Sequence, residues 1–176
     1  MLVSFGFSTV AVMMADLLFL DPDPLPGQEG PERGVRLEIR RINHGADRGS
    51  IYAARPITVD EPLWRADLLE SAAGPVGSFD RTHHHSVDGW EVSERIFDPS
   101  LSADPVSWMR QALCSLGTGV LADARPALER AELEAIAAQA PAICEQLERM
   151  LAAVRSGELA VQRDGELKAP VRDGWL

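Results

Sequence analysis

The hydrophobic pattern changes its period along this chain, and that change restricts the fold more than any other feature. Val35, Leu37 and Ile39 alternate with charged residues, which is the period of a strand with one buried face. Between residues 128 and 154 the apolar residues instead recur every three or four positions, as on the buried face of a helix. Strands first and helices later predict an α+β fold.

Further strands are predicted at 51–59, 63–69 and 90–97 from their apolar and β-branched residues. In the second of these, Arg65 and Asp67 lie on the face opposite the apolar residues. Short polar connections between the early strands predict an antiparallel β-meander with one covered face. The predicted architecture is therefore an N-terminal antiparallel meander, a middle loop rich in histidine, a helical C-terminal half and a short terminal β-hairpin.

The helical boundaries are marked by capping residues and helix breakers. Asp104 suits a helix N-cap and Pro105 the first helical position. Pro141 is expected to divide or kink the later helical run, which Ser156-Gly157 ends. The terminal hairpin is predicted over 159–171, because Asp164-Gly165 suits a tight turn.

The domain boundary is predicted from a segment rich in proline and glycine. Residues 21–31 contain four prolines and two glycines, which disfavour both helix and sheet. We therefore expect residues 1–32 to form a flexible extension and linker, and residues 33–176 a single α+β domain. Translation starting at Met14 is an open alternative, which would leave residues 1–13 untranslated.

Charge and cysteine usage limit the expected partners and compartment. The chain carries 17 basic and 27 acidic side chains, a net charge of -10. Such a surface repels nucleic acid and anionic membranes and favours a basic protein or a small ligand as partner. Cys114 and Cys144 form no metal-binding or disulfide pattern, so both are expected to be core residues in a reducing cytoplasm.

Three of the four histidines are adjacent, at positions 83–85. If this segment is extended, His83 and His85 point the same way, and Asp80 and His44 are candidates to complete a set of metal ligands. The cofactor expected on this reading is a divalent transition-metal ion. Two alternatives stay open: an acid–base centre, and a polar loop in which these groups satisfy one another.

The functional expectation combines this segment with the acidic composition. Because the chain has no known catalytic motif, we expect a non-catalytic interaction module whose binding face includes His84, Asp88 and Trp90. One alternative is a small metal-dependent enzyme using His83 and His85. Another is an antitoxin or immunity-type protein that neutralises a basic toxin. Whether the protein is an enzyme stays open.

Three segments resemble parts of uncharacterised bacterial domains of unknown function: RINHGADRGSIYAARP, PLWRADLL and GSFDRTHHH. The resemblance extends over about Val35 to Leu116. It implies no activity, fold or ligand.

Overall fold

The computed structural model describes residues 1–46, 55–122 and 128–160. In these residues an antiparallel sheet of six strands, ordered β1 to β6 in chain order, is followed by three helices. The strands are β1 (Leu2–Gly6), β2 (Val10–Leu20), β3 (Pro31–His44), β4 (Ile57–Ser71), β5 (His83–Asp88) and β6 (Glu91–Val92). The helices are α1 (Pro99–Ala103), α2 (Pro105–Cys114) and α3 (Arg130–Arg155).

One face of the sheet, here called the core face, forms the hydrophobic core with α2 and α3. Its side chains come from alternate positions of the three long strands, as the pleat of a strand requires. They are buried together with Met109, Leu113, Ile143 and Leu147 of the helices. The core-face residues are Val10, Val12, Met14, Val35, Leu37, Ile39, Trp64, Ala66 and Leu68.

The opposite face of the sheet, here called the second face, carries charged residues at its centre. Strand register places Arg36 of β3 opposite Asp67 of β4, and Asp67 opposite His83 of β5. Arg65 is paired in the same way with His85. Side chains directly opposite one another in a sheet are in contact distance, so the register itself assembles a polar cluster here.

The predicted N-terminal meander is confirmed, although its strands differ in extent. The alternating segment 35–39 lies within the longer strand β3. The predicted strand 63–69 and residues 57–59 of the predicted strand 51–59 belong to one strand, β4, and residues 51–54 lie outside the described residues. The histidine segment predicted as a loop is strand β5, because its residues pair with 64–67 of β4.

The structure differs from the predicted boundary at residue 33, because the sheet begins at Leu2. Strand β2 pairs with β3 along its whole length, and Val10, Val12 and Met14 are fully buried. The alternation that marks a strand is hidden in β2, because Ala11 and Met13 on the second face are apolar as well. Strands with two apolar faces read as continuous apolar runs.

The predicted helical C-terminal half is wrong. In the part of this half that the structure describes, strand β6 is followed by the short helices α1 and α2 and by the longer helix α3. Of the predicted strand 90–97 only Glu91–Val92 forms, because Ile96 makes only an isolated bridge to His84. The architecture with a terminal hairpin is therefore corrected to a six-stranded sheet with a C-terminal helix. Within the predicted hairpin, Leu159 and Ala160 form a bend, and residues 161–171 lie outside the described residues.

The individual helix boundaries were predicted more accurately. Asp104 caps α2 by accepting a hydrogen bond from the Ser107 amide, and Pro105 occupies the first turn. Helix α3 is one helix with Pro141 inside it, so the proline does not divide it into two. Gly157, with φ of 78°, follows its last turn. None of the described helices combines the length and apolarity needed to cross a membrane.

Candidate metal centre

Three buried side chains converge on the second face of the sheet: Asp67, His83 and His85. Each offers one potential ligand atom, and these three atoms all lie within 4.8 Å of one another. The side chains of Asp67 and His83 are each 1% exposed. Position 67 on β4 lies opposite position 83 on β5, and His85 shares the face of His83 because side chains alternate along a strand.

The backbone fixes the tautomer of both histidines. Nδ1 of His83 lies 2.7 Å from the carbonyl oxygen of Arg81, and Nδ1 of His85 lies 2.7 Å from that of Ser93. Because a carbonyl only accepts, each Nδ1 must carry the hydrogen and donate it. In a neutral ring, Nε2 then keeps its lone pair, which is the arrangement found in metal-binding histidines.

The two Nε2 atoms face the same oxygen of Asp67. Nε2 of His83 lies 3.4 Å from Oδ2 and Nε2 of His85 lies 3.6 Å from it. Lone pairs turned toward a carboxylate oxygen are repulsive unless a cation lies between them. Two ligand atoms bound to one tetrahedral ion by bonds of about 2.0 Å lie about 3.3 Å apart, and both observed separations are close to that distance.

The third ligand is oriented by an arginine on the neighbouring strand. Nε of Arg36 donates to Oδ1 of Asp67 over 2.7 Å, which leaves Oδ2 turned toward the histidines. Burial raises the pKa of the Asp67 carboxyl, but the charges of Arg36 and Arg65 hold this pKa well below its ordinary value. Asp67 is therefore anionic at neutral pH, as a carboxylate that is to bind a metal must be.

A second guanidinium group lies on the side of the centre that faces His85. Nη2 of Arg65 is 2.8 Å from Oδ2 of Asp67 and 3.0 Å from Nε2 of His85. Burial lowers the pKa of Arg65, and the favourable charge of Asp67 only partly offsets this. Arg65 thus supplies the positive charge that balances these acceptors, and an incoming ion must displace its Nη2 from them.

Next to the centre lies a second buried carboxylate, Glu32. Its Oε1 is 3.2 Å from Nη1 of Arg95, whereas Oε2 is buried without a hydrogen-bond partner among the described residues. Burial raises the pKa of Glu32, although the charge of Arg95 partly opposes the shift. The aromatic ring of Phe97 packs against His83, with 5.6 Å between the ring centroids. These groups separate the centre from solvent on the His83 side.

Of the four metal ligands expected from sequence, the structure brings together His83 and His85. Asp80 instead lies in the preceding turn, where its Oδ1 accepts hydrogen bonds from the Ser71 amide and the Ser78 hydroxyl. His44 lies eight residues beyond Arg36 along β3, roughly 25 Å away at 3.3 Å per residue. Its Nε2 faces the Ser8 carbonyl, so it belongs to a different region of the sheet.

Sequence reasoning missed Asp67 as a ligand and Arg36 and Arg65 as its partners. The available signal was a pair of patterns: polar residues at alternate positions of one strand, and His-x-His in the next. Each pattern places its own residues on one face of its strand. Neither pattern indicates that these two strands are neighbours with those residues on the same face of the sheet. That information comes from the pairing of β4 with β5.

The expected binding face is divided between the two sides of the sheet. His84 lies on the core face, where its ring is 6.0 Å from that of Trp64 and 5.5 Å from that of Trp108. Trp90 is 52% exposed, follows the end of β5 at Asp88, and lies under the guanidinium of Arg40. Asp88 and Trp90 are therefore close in sequence and space, whereas His84 does not share their surface.

The two cysteines differ in their exposure to solvent. Cys144 is buried in α3 as expected, but Cys114 is exposed at the end of α2. Neither forms a disulfide in the described residues.

No known protein family, curated protein or solved structure matches this chain.

Proposed function

We propose that this protein binds a divalent transition-metal ion through Asp67, His83 and His85. The observation that carries the proposal is that each of the three side chains is oriented by a hydrogen bond through the atom that does not face the centre. Carbonyl oxygens accept from Nδ1 of the two histidines, and a guanidinium donates to Oδ1 of Asp67. Such partners fix the direction and basicity of metal ligands. They leave Oδ2 and two Nε2 atoms directed at one buried point.

The donor set indicates the kind of ion. Two imidazole nitrogens and one carboxylate oxygen suit Zn²⁺ or Fe²⁺, whereas Ca²⁺ and Mg²⁺ prefer oxygen ligands alone. Three protein ligands leave at least one coordination position for water or a bound molecule, as in catalytic zinc sites and non-haem iron sites. The donor set therefore favours the small metal-dependent enzyme among the functions expected from sequence.

The competing explanation is that a proton, not a metal, joins each histidine to Asp67. An imidazolium N–H would then donate to Oδ2, and its nitrogen is expected within about 2.7–2.9 Å of that oxygen. The observed separations of 3.4 and 3.6 Å are longer. They are close to the spacing of ligand atoms around one ion, which supports the metal. The widest separation among the three atoms, within 4.8 Å, shortens when an ion binds all three.

The test is to measure metal binding by protein purified without a histidine tag and stripped with a chelator. Titration calorimetry with Zn²⁺ and elemental mass spectrometry after dialysis should give one ion per chain. His83→Gln should weaken binding about 100-fold or more, because a ligand and its fixed tautomer are lost. His84→Gln is the matched control, because its ring lies on the opposite face of the same strand.

Circular dichroism of each variant establishes that the fold is retained. Absence of Zn²⁺ binding by the folded wild-type protein would reject the proposal. Equal losses in His83→Gln and His84→Gln would reject this location of the site. Because Asp67→Asn removes the charge that Arg36 and Arg65, both partly buried, contact, the histidine variants carry the test.

The interaction module and the antitoxin stay predictions. The exposed apolar side chains of Trp90, Val92, Ile96 and Phe97, all within the segment 90–97, support the first, because exposed apolar patches often mark interaction sites. A cytoplasmic location is likewise a proposal, supported by the two unpaired cysteines.

A further inference from the structure

We infer that the metal centre takes a small oxyanion, a carboxylate or phosphate group held between the ion and the guanidinium of Arg65. This inference rests on the proposed metal binding. It adds the chemical class of the molecule that occupies the open coordination position.

The hydrogen-bonding groups of Arg65 are only partly used. In the described residues its Nη2 shares two acceptors, Oδ2 of Asp67 and Nε2 of His85, while its buried Nε has no hydrogen-bond partner. A metal ion bound by His85 uses the only lone pair of its Nε2, whereas Oδ2 of Asp67 keeps a second lone pair. Metal binding therefore takes the His85 acceptor from Nη2, and Nε has no acceptor among the described residues either, at the edge of the metal's coordination sphere.

Nε and Nη2 lie along one edge of a guanidinium group and suit a two-oxygen acceptor. Arg36 already demonstrates this geometry in the same cluster, where its Nε and Nη2 are 2.7 and 3.4 Å from the two oxygens of Asp67. The equivalent edge of Arg65 has no carboxylate of its own. Carboxylate and phosphate groups are the acceptors that match this planar pair of donors.

Charge balance points to the same class of ligand. Around the centre, the carboxylates of Asp67 and of Glu38 already offset the two guanidinium groups of Arg36 and Arg65. Glu38 lies opposite Arg65 across β3 and β4, and Arg95 pairs with Glu32. A divalent ion adds two positive charges to a region that is largely removed from water. Unbalanced charge in such a region is costly, so binding of an anion beside the ion is electrostatically favoured.

The two arginines are the accessible groups of the centre, with Arg36 18% exposed. The Arg65 side chain is 19% exposed, compared with 1% for Asp67 and 6% for His85. A ligand arriving from solvent thus meets these arginines before it reaches the ion. The internal rival for the open position is the buried carboxylate of Glu32, whose Oε2 has no hydrogen-bond partner among the described residues.

The experiment uses the full chain loaded with Co²⁺, whose visible absorption reports the ligands and geometry of the ion. Acetate and inorganic phosphate are titrated separately into the loaded protein. A saturable spectral change with either anion is expected, and the anion that produces it identifies which group the centre takes. Arg65→Gln, kept saturated with Co²⁺ so that a change in metal affinity does not enter, should weaken the anion at least about tenfold, the effect of losing one charge-assisted pair.

The matched control is Arg33→Gln, because Arg33 belongs to the core-face side of β3 and pairs with Glu70. It should bind both Co²⁺ and the anion as the wild-type protein does. Arg65→Lys, which keeps the charge but loses the two-donor edge, should give a loss between those of wild type and Arg65→Gln.

Failure of the proposed metal binding and failure of the oxyanion inference give different results. If the folded wild-type protein does not bind Co²⁺, the proposed function itself fails. If Co²⁺ binds but neither anion changes its spectrum, or Arg65→Gln titrates like wild type, the oxyanion inference is overturned and the metal centre stands. A change of the Co²⁺ spectrum in Glu32→Gln without added anion would place Glu32 at the open position and also overturn the inference.

Discussion

Arg36 and Asp67 face each other across strands β3 and β4, with Nε of the arginine 2.7 Å from Oδ1 of the carboxylate. The Asp67 side chain is 1% exposed, so its charge is almost wholly removed from water. The guanidinium compensates that charge and also sets which oxygen faces the histidines. The pair therefore has both a structural and a positioning role.

Substitution of Arg36 by glutamine should reduce both stability and metal affinity. Removing one partner of a buried ion pair typically costs about 3–5 kcal/mol, and Arg65 retains part of the compensation here, so we expect about 3 kcal/mol. Urea denaturation in the presence of chelator measures this loss. Arg41→Gln is the control, since its partner Glu61 is 32% exposed and such pairs contribute about 1 kcal/mol or less. Equal losses in the two variants would contradict the assigned role of Arg36.

Metal binding should raise the stability of the folded protein. At a free Zn²⁺ concentration 100 times the dissociation constant, the free energy of unfolding should increase by about 2.7 kcal/mol if the unfolded chain does not bind the ion. Urea denaturation with and without Zn²⁺ measures the increase, and excess chelator should abolish it. His84→Gln should retain the increase and His85→Gln should lose it. An unchanged increase in His85→Gln would mean that Zn²⁺ stabilises the protein from another site.

The elements predicted correctly are those in which the sequence itself separates an apolar face from a polar face. In β3, Leu37 and Ile39 are buried while Arg36 and Glu38 lie on the second face, so alternation revealed the strand. The start of α2 was also predicted from the sequence, because Asp104 caps the helix through a local hydrogen bond. Strand β2 carries apolar residues on both faces, so periodicity alone did not distinguish it from an extension.

The candidate centre was predictable only in part. His83 and His85 share a face as soon as their segment is extended, and this follows from the alternation of side chains along a strand. Asp67 comes from β4, and residues 72–82 separate the two strands. Its position beside His83 depends on the register between them, and a shift of one residue would turn Asp67 to the other face. No local pattern in the chain specifies that register.

The buried Glu32 should make stability depend on pH in a direction opposite to most carboxylates. Burial raises its pKa above the ordinary 4.5, so the stability it contributes is present below that value and is lost as pH rises through the folded-state pKa. Relative to wild type, Glu32→Gln should therefore gain stability between about pH 4 and pH 7. Chemical denaturation in chelator across this range measures the difference.

Glu29 offers a control of opposite sign for this pH dependence. Backbone hydrogen bonds from its own amide and from Gly27 lower its pKa, so its contribution is present above the ordinary value and is lost as pH falls. Glu29→Gln should accordingly lose stability relative to wild type as pH rises over the same range. If Glu32→Gln followed the trend of Glu29→Gln, the assignment of Glu32 as a carboxylate disfavoured by burial would be wrong.

The contribution of the N-terminal strands can be tested at two adjacent methionines of β2. Met14 lies on the core face and is fully buried, whereas Met13 lies on the second face and is only partly buried. Met14→Ala should lower the free energy of unfolding by about 2–5 kcal/mol, because it leaves a cavity beside Leu37. Met13→Ala should cost about 1 kcal/mol, as is usual outside the core. Urea denaturation measures both, and small, equal effects would indicate that residues 1–20 are an extension and not part of the sheet.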